Sequence, residues 1–243
     1  STFEALKVEY HFTPWIHPDD LGADCGGGRD TTVTVWVNPL PRIEVDAPDT
    51  VLCNDEDVIF DVKIPNTTAH GEWKYNLTVD YGAFVTGLGI GGEYTAGDLL
   101  LVDHLVNHDT AAHRIPYHFT PRITPGDGEL DCGSGVDTTI YIWVNPTPEI
   151  RVSTPNTIIC NEDLINLFVR NPNVPSMGDW KYTLTVDYGT HITGNIDSGE
   201  YDATDVVLPD QLTNHDTLYH FVSYHFVPRI SPVALAPDCE NGL

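Results

Sequence analysis

The chain has 243 residues and carries 11 Lys and Arg against 36 Asp and Glu, a net charge of −25. This balance argues against binding to nucleic acid or to an anionic membrane surface, because both need cationic side chains. No stretch approaches the roughly 20 consecutive apolar residues of a membrane helix, so no direct membrane insertion is expected.

Alternation of apolar and polar residues predicts strands from one end of the chain to the other. In chain order, the segments with this pattern are 8–12, 31–37, 58–62, 73–81, 115–119, 138–144, 164–168 and 222–226. Residues 99–105 fit either a short helical turn or a further strand. Clusters of Pro, Gly and Asp separate these segments. Strands at this spacing predict an all-β fold of antiparallel β-sandwiches.

A short segment that begins at Tyr10 returns at Tyr117 and at Tyr224. The spacing of the copies is constant, since 117 − 10 and 224 − 117 are both 107. We call this spacing of 107 the period. Most other landmarks keep the same period without a gap, so we expect tandem repeats arranged end to end. Within the repeated strand, Tyr117 and Phe119 are predicted to face the core and His118 to point away.

Two Asn-Pro junctions, Asn38-Pro39 and Asn145-Pro146, set the phase of the repeat, because proline ends a strand and fixes a stiff connection. We call residues 1–38 the leading segment and expect it to be the C-terminal part of a preceding repeat. Residues 39–145, the first unit, form one complete sandwich. Residues 146–243, the second unit, are expected to lack the final strand.

The five cysteines obey the period and favour disulfides in an exported protein. Pairing within each unit would join Cys53 to Cys132 and Cys160 to Cys239, and it would leave Cys25 with a partner upstream. Pairing across the joints would join Cys25 to Cys53 and Cys132 to Cys160. We favour the first scheme, because successive strands carry the sulfurs of the second scheme apart.

Short sequence motifs recur in a fixed order: Asn-Pro-x-Pro, then Leu-Cys-Asn or Ile-Cys-Asn, and finally Asp-Thr-Thr before Trp-Val-Asn-Pro. The pattern resembles the PKD-like and Ig-like repeats of very large Bacteroidota cell-surface proteins. It is most similar to gliding-motility adhesins of the SprB type, which the type IX system exports. The resemblance implies an extracellular, outer-membrane-associated filament of many sandwiches, with neighbouring repeats of the same chain as partners.

The resemblance also brings an O-glycosylation motif, Asp followed by Thr and a small or apolar residue or a further Thr. Matches place candidate sugars on Thr31, Thr110, Thr138, Thr217 and Thr50. The counterpart of Asp49 in the second unit is Asn156, so the site at Thr50 does not recur.

Acidic side chains could hold Ca²⁺, which prefers six to eight oxygen ligands. The repeated residues Glu93, Asp98, Glu200 and Asp205 are the weak candidates, and plain surface acid is the simpler interpretation. No other cofactor is expected. The sequence contains no nucleophile elbow, phosphate loop or HExxH motif, so no enzyme activity is expected.

These features favour a non-catalytic structural and adhesive module of a long cell-surface filament. The alternative is a carbohydrate- or ligand-binding accessory region of a secreted protein, which would display exposed Tyr and Trp in one groove. The adhesion target, an extracellular surface or a polysaccharide, is open in either case.

Overall fold

The computed structural model describes residues 3–19, 22–67, 69–95, 99–126, 130–133, 135–202, 205–232 and 237–240. Throughout these residues the regular elements are β-strands. Among the described residues, no helix is long and apolar enough to cross a membrane. The prediction of an all-β fold is confirmed.

The leading segment forms a two-stranded antiparallel hairpin of β1 (Leu6–Phe12) and β2 (Thr31–Val37). Phe12 lies opposite Thr31 in the register. Both strands are exposed along their whole length. Residues 31–37 are therefore more exposed than the half-buried strand that the alternation predicts. Among the described residues, the ring of His70 packs on Trp36 at 4.0 Å.

The described residues of the first unit form strands that build two sheets. They are β3 (Glu44–Asp46), β4 (Val51–Leu52), β5 (Glu56–Lys63), β6 (Glu72–Val79), β7 (Val85–Thr86), β8 (Gly92–Thr95), β9 (Leu99–Asn107), β10 (His113–Thr124) and β11 (Thr138–Val144). One sheet has the order β4-β11-β10-β6-β8 and the other β3-β5-β9-β7. All of these pairs are antiparallel except β4 with β11. Residues 99–105 belong to strand β9, so the helical alternative is wrong.

The core of the first unit lies between these two sheets, where alternate residues of β5, β6, β9 and β10 meet. Tyr117 and Phe119 are fully buried, and the ring of Phe60 lies 4.5 Å from that of Tyr117. Each such side chain stabilises the fold by roughly 1.5–3 kcal/mol through burial of apolar surface. His118 points away and lies 2.9 Å from the hydroxyl of Thr139, as the alternation predicted.

The second unit repeats this plan. Its described strands are β12 (Arg151–Ser153), β13 (Leu164–Arg170), β14 (Asp179–Asp187), β15 (Ile192–Thr193), β16 (Gly199–Asp202), β17 (Val206–Gln211), β18 (Thr213–Asn214) and β19 (Ser223–Ser231). Their sheets are β16-β14-β19, β12-β13-β17 and β15-β18. β10 pairs with both β6 and β11, whereas its counterpart β19 pairs only with β14 among the described strands. A second core cluster, built around Trp180 and Tyr182, fills this unit.

Candidate functional site at the joints between units

The leading segment is joined to the first unit through the side chain of Asn38. Its Nδ2 donates to the carbonyl of His70 at 2.8 Å, and its Oδ1 accepts the amide of His70 at 2.7 Å. Asn145 makes the same two bonds with Met177 in the second unit, at 3.0 and 2.7 Å. Because one side-chain amide satisfies both groups of a single backbone residue, each bridge fixes direction as well as distance. The asparagine before each joint proline is therefore a structural part of the joint.

A second contact uses the carbonyl group at the same repeat position in both joints. At the first joint, the amide of Thr67 donates to the carbonyl of Phe3 at 3.1 Å. At the second, Nδ2 of the buried Asn173 donates to the carbonyl of Thr110 at 3.2 Å. Thr110 lies one period after Phe3, since 110 − 3 is 107. The two joints thus present the same backbone acceptor to the following unit.

The second joint also contains a disulfide between Cys53 and Cys239, with Cα atoms 5.3 Å apart and a sequence separation of 186. Cys53 follows β4 in the first unit, yet its side chain packs in the core cluster of the second unit. Cys239 lies in the loop after β19, where it forms a backbone bridge with Ile230. The bond therefore crosses the joint and ties the two sandwiches together covalently.

Neither predicted pairing scheme is present. The pairs Cys53–Cys132 and Cys160–Cys239 are corrected by the observed Cys53–Cys239 bond, which also excludes Cys25–Cys53. Cys25, Cys132 and Cys160 have free thiols in this structure, so Cys132–Cys160 is absent as well.

The reason is that the two cysteines of one unit lie at opposite ends of its sandwich. Cys132 forms a backbone bridge with Ile123, near the end of β10. Cys53 directly follows Leu52, which is linked through β11 to His113 at the start of β10. At about 3.3 Å per residue, the stretch of β10 between these two points is roughly 33 Å long. This distance far exceeds the roughly 7 Å between Cα atoms that a disulfide tolerates.

Each unit contains a buried aspartate that two tyrosines and one amide hold in place. Asp103 accepts the hydroxyls of Tyr81 and Tyr117 at 2.7 and 2.8 Å and the amide of Leu88 at 2.7 Å. In the second unit, Asp210 makes the corresponding three bonds, with Tyr188, Tyr224 and the amide of Asn195. Both carboxylates are completely inaccessible to solvent. The networks therefore fix the loops after β6 and β14 against the core.

Burial raises the pKa of all four tyrosines in these networks. For Tyr81, burial and the hydrogen bond to Asp103 raise the pKa to about 12. Burial and the nearby Asp103 charge also raise the pKa of Tyr117. Burial and the bond to Asp210 raise the pKa values of Tyr188 and Tyr224. Each phenol consequently keeps its proton and remains a donor well into the alkaline range.

The calcium candidates that the structure describes are occupied by groups of the chain itself. Glu93 contacts Arg122 and lies 3.5 Å from Nζ of Lys74. Glu200 repeats this arrangement with Arg229 and with Lys181, which lies at 3.3 Å. The hydrogen bond from Arg229, followed by that from Lys181, lowers the pKa of Glu200.

The other two candidates do not join these glutamates. Oδ1 of Asp205 accepts the amide of Asn171 at 3.1 Å. Asp98 lies outside the described residues. The three candidates that the structure describes are not brought together, and calcium binding stays a prediction.

The glycosylation candidates fall on different surroundings. Thr31 begins β2, and Thr50 and Thr217 are in loops; all three are exposed. Thr110, at the second joint, and Thr138, at the start of β11, are half-buried. Modification of any of them stays a prediction.

A histidine cluster that sequence reasoning did not single out lies at the far end of the second unit. His191, Asp216 and His220 place their ligand atoms within 4.8 Å of one another. His220 is bonded to Asp216 at 2.8 Å, and its ring stacks on His191. In the first unit the position of His191 is occupied by Phe84, which stacks on His113 in the same way. The stacked pair of rings is thus repeated in both units, but only the second unit has a histidine, His191, at the position of Phe84.

An apolar groove of about 430 Å³ opens beside this cluster. It is lined by Ile158, Cys160, Tyr219, Phe221 and Tyr224, among others. Tyr219 and Phe221 are 96% and 85% exposed. Their counterparts in the first unit, Ala112 and Arg114, lie at the second joint, where the amide of Ala112 donates to the carbonyl of Pro175. The groove is therefore on the end of the second unit that corresponds to a joint.

No protein-family model matches the chain, and no curated protein matches it. Similar solved structures include the Yersinia pseudotuberculosis adhesin InvE, with 14% identity, a TM-score of 0.25, and coverage of 77% of this chain and 54% of that chain. The chain thus spans about half of that adhesin. The type II cohesin dyad from the adaptor ScaA scaffoldin of Acetivibrio cellulolyticus has 10% identity, a TM-score of 0.25, and coverage of 71% and 77%. The chicken CNTN1 FN1–FN3 domains have 10% identity, a TM-score of 0.29, and coverage of 92% and 72%.

Proposed function

We propose that this chain is a non-catalytic structural and adhesive part of a long cell-surface filament built of sandwiches of one period each. The observation that carries the proposal is the recurrence of the joint: Asn38 binds His70 as Asn145 binds Met177. A linker between independent domains needs no such contacts and usually lies in a flexible, polar segment. The same asparagine bridge at every joint would give each unit the same orientation relative to its neighbour, which is the condition for a regular fibre.

Two further properties, the disulfide and the net charge, support an extracellular filament. A disulfide persists in oxidising compartments, and the Cys53–Cys239 bond is buried within the joint. The net charge of −25 makes neighbouring filaments repel one another, which favours single fibres over bundles. Within this class we infer a gliding-motility adhesin of Bacteroidota, exported by the type IX system, associated with the outer membrane and glycosylated on Asp-Thr motifs.

Electron micrographs of the intact protein from its native cell surface test the filament. The expected result is a thread of beads whose length grows with the number of repeats. Removal of residues 39–145, one full period, should shorten the thread by one bead, because it joins Asn38 to Pro146 and leaves a single joint of the same phase. A compact globule, or a thread unaffected by the deletion, would refute the filament.

Adhesion is tested on cells with the same in-phase deletion. Cells that carry the shortened filament should still attach to a polysaccharide-coated surface, while cells without the protein should not. Equal attachment of cells with and without the protein would exclude an adhesive role and leave the structural role standing.

One observation favours the alternative, a carbohydrate-binding accessory region. Tyr219 and Phe221 are the kind of exposed aromatic side chains on which sugar rings stack, and they line one groove. Soluble polysaccharides titrated into the chain should then bind, and Tyr219→Ala should abolish binding. Tyr141→Ala is the matched control, because Tyr141 is also exposed but lies outside this groove. Equal binding by both variants would exclude the groove as the sugar site.

A further inference from the structure

The two kinds of cysteine in the repeat are held by local geometry that is the same in every copy. Cys25, Cys132 and Cys239 each form an antiparallel bridge with the isoleucine six residues after the start of the repeated segment, namely Ile16, Ile123 and Ile230. We call these three the loop cysteines. Their common bridge fixes each at the end of its unit that faces the preceding unit, as Cys239 does at the second joint.

Cys53 and Cys160 form the second kind, which we call the strand cysteines. The amide of Cys53 donates to Glu56 at 2.9 Å, and that of Cys160 donates to Asp163 at 3.0 Å. The second residue after each, Asp55 and Glu162, has a positive φ of 66° and 64°. Because the same unusual turn follows both, Cys160 stands at the far end of the second unit as Cys53 stands at the far end of the first.

The strand cysteines differ in what covers them. Cys53 is 8% exposed, because the second unit packs over it, and it is bonded to Cys239. Cys160 is exposed and lines the apolar groove at the far end of the second unit. Its thiol is therefore placed as that of Cys53 would be without the following unit.

Cys132 is the loop cysteine at the first joint. Its sulfur lies 3.8 Å from Nδ2 of Asn38, the asparagine that builds that joint. At the second joint, the loop cysteine at this repeat position is Cys239, which is bonded. Cys132 is thus already seated in a joint, with a free thiol.

We propose that every joint of the array is closed by one disulfide, between a strand cysteine and the loop cysteine that follows it at the sequence separation of 186 seen for Cys53 and Cys239. Cys160 is then the site for the loop cysteine of the following unit, and Cys132 is the site for the strand cysteine of the unit that ends in the leading segment. This inference rests on the proposed tandem array. In each bond two thiols lose two protons and two electrons to a disulfide-carrying oxidant, which leaves as the dithiol.

A chain lengthened by one period tests the rule directly. Residues 137–243 are repeated once after residue 243, which keeps the phase, since 244 − 137 is 107. Cys160→Ser is introduced in the appended copy only, so that a peptide containing Cys160 has a single origin. Free thiols are alkylated, and the peptides are mapped by mass spectrometry without reduction. The peptides of Cys239 and of its appended copy differ, because only the first continues into further residues.

The expected map contains two links, Cys53 to Cys239 and Cys160 to the appended copy of Cys239. In a control chain with Cys160→Ser in both copies, the appended loop cysteine should be alkylated. A link from Cys160 to Cys239 or Cys132, or an alkylated Cys160 beside an intact Cys53–Cys239 link, would overturn the rule. Should the lengthened chain not fold, the same map on the native protein decides, because linked cysteines must then keep the sequence separation of 186.

This result is independent of the filament. The lengthened chain contains the tandem arrangement by design, so a missing link counts against the disulfide rule alone. A globular native particle in electron micrographs would count against the filament alone.

Discussion

Replacement of Asp103 by alanine tests whether the buried carboxylate organises the first unit. The change removes the acceptor of three buried donors at once, the hydroxyls of Tyr81 and Tyr117 and the amide of Leu88. A buried donor left without a partner costs about 1–3 kcal/mol. The three together sum to about 3–9 kcal/mol, so Asp103→Ala should lower the free energy of unfolding by at least about 3 kcal/mol, which is at or beyond the upper end for a single substitution.

The measurement is urea unfolding followed by tryptophan fluorescence, with the free energy taken from the midpoint and the slope. A double-mutant cycle sharpens it. In a background with Tyr81→Phe and Tyr117→Phe, two of the three donors are absent, so Asp103→Ala should cost about 2 kcal/mol less than in the natural chain. Asp210→Ala is the matched change in the second unit, and Asp46→Ala, at an exposed position of β3, is the control.

Strict additivity of the cycle, or a cost for Asp103→Ala no larger than that for Asp46→Ala, would refute this reasoning. Either result would mean that the tyrosine hydroxyls and the Leu88 amide find other acceptors at no cost.

Three further predictions concern single groups. The pKa of Tyr81 is raised to about 12, against about 10 in an unfolded chain. The stabilisation that Tyr81 contributes is therefore complete below about pH 10 and is lost as the pH rises toward about 12. Urea midpoints measured at several alkaline pH values should fall over this window. Hydrogen bonds to Asp57 and Asp55 raise the pKa of His104, so it stabilises the first unit below about pH 6.5, and this is lost as the pH rises through its folded-state pKa; His104→Gln should abolish that dependence. The hydroxyl of Tyr75 is buried and has no hydrogen-bond partner among the described residues, so Tyr75→Phe should raise the free energy of unfolding by about 1 kcal/mol.

Each of these has an internal comparison. Tyr81→Phe should flatten the alkaline decline, and an unchanged decline would exclude Tyr81 as its source. In the second unit, Gln211 occupies the position of His104 and donates to the carbonyl of Glu162. His104→Gln should therefore leave the first unit folded. Equal pH dependence of stability before and after this change would contradict the prediction. Tyr117→Phe removes a bonded hydroxyl and should lower stability, so the same sign for Tyr75→Phe and Tyr117→Phe would contradict the last prediction.

Much of the fold could be predicted because its determinants are local. Alternation within one segment decides which side chains enter the core, and the predicted strands 31–37 and 138–144 coincide with β2 and β11. The disulfide could not be predicted from the period, because spacing does not reveal at which end of a sandwich a loop lies. That depends on the strand order β4-β11-β10, which places Cys53 and Cys132 at opposite ends.

The buried aspartates lie between these two cases. Sequence reasoning did not distinguish Asp103 from the other acidic residues, although it follows Leu101 and precedes Leu105 at the two-residue spacing of one strand face. A carboxylate on an apolar face was a detectable signal of burial. Its partners were not detectable, because Tyr81 approaches from a loop whose course depends on the whole sheet.

The disulfide across the joint also decides how the chain responds to a pulling force. Tension applied to the two ends passes through Cys53 and Cys239 and bypasses the residues between them. That separation of 186, fully extended at about 3.3–3.6 Å per residue, would lengthen the chain by roughly 600–670 Å. With such a bond at every joint, the covalent path would use only a small part of every two periods, since 2 × 107 − 186 is 28. The filament would then behave as a cable of nearly fixed length whose sandwiches stay folded under load, and reduction of its disulfides would turn it into an extensible one.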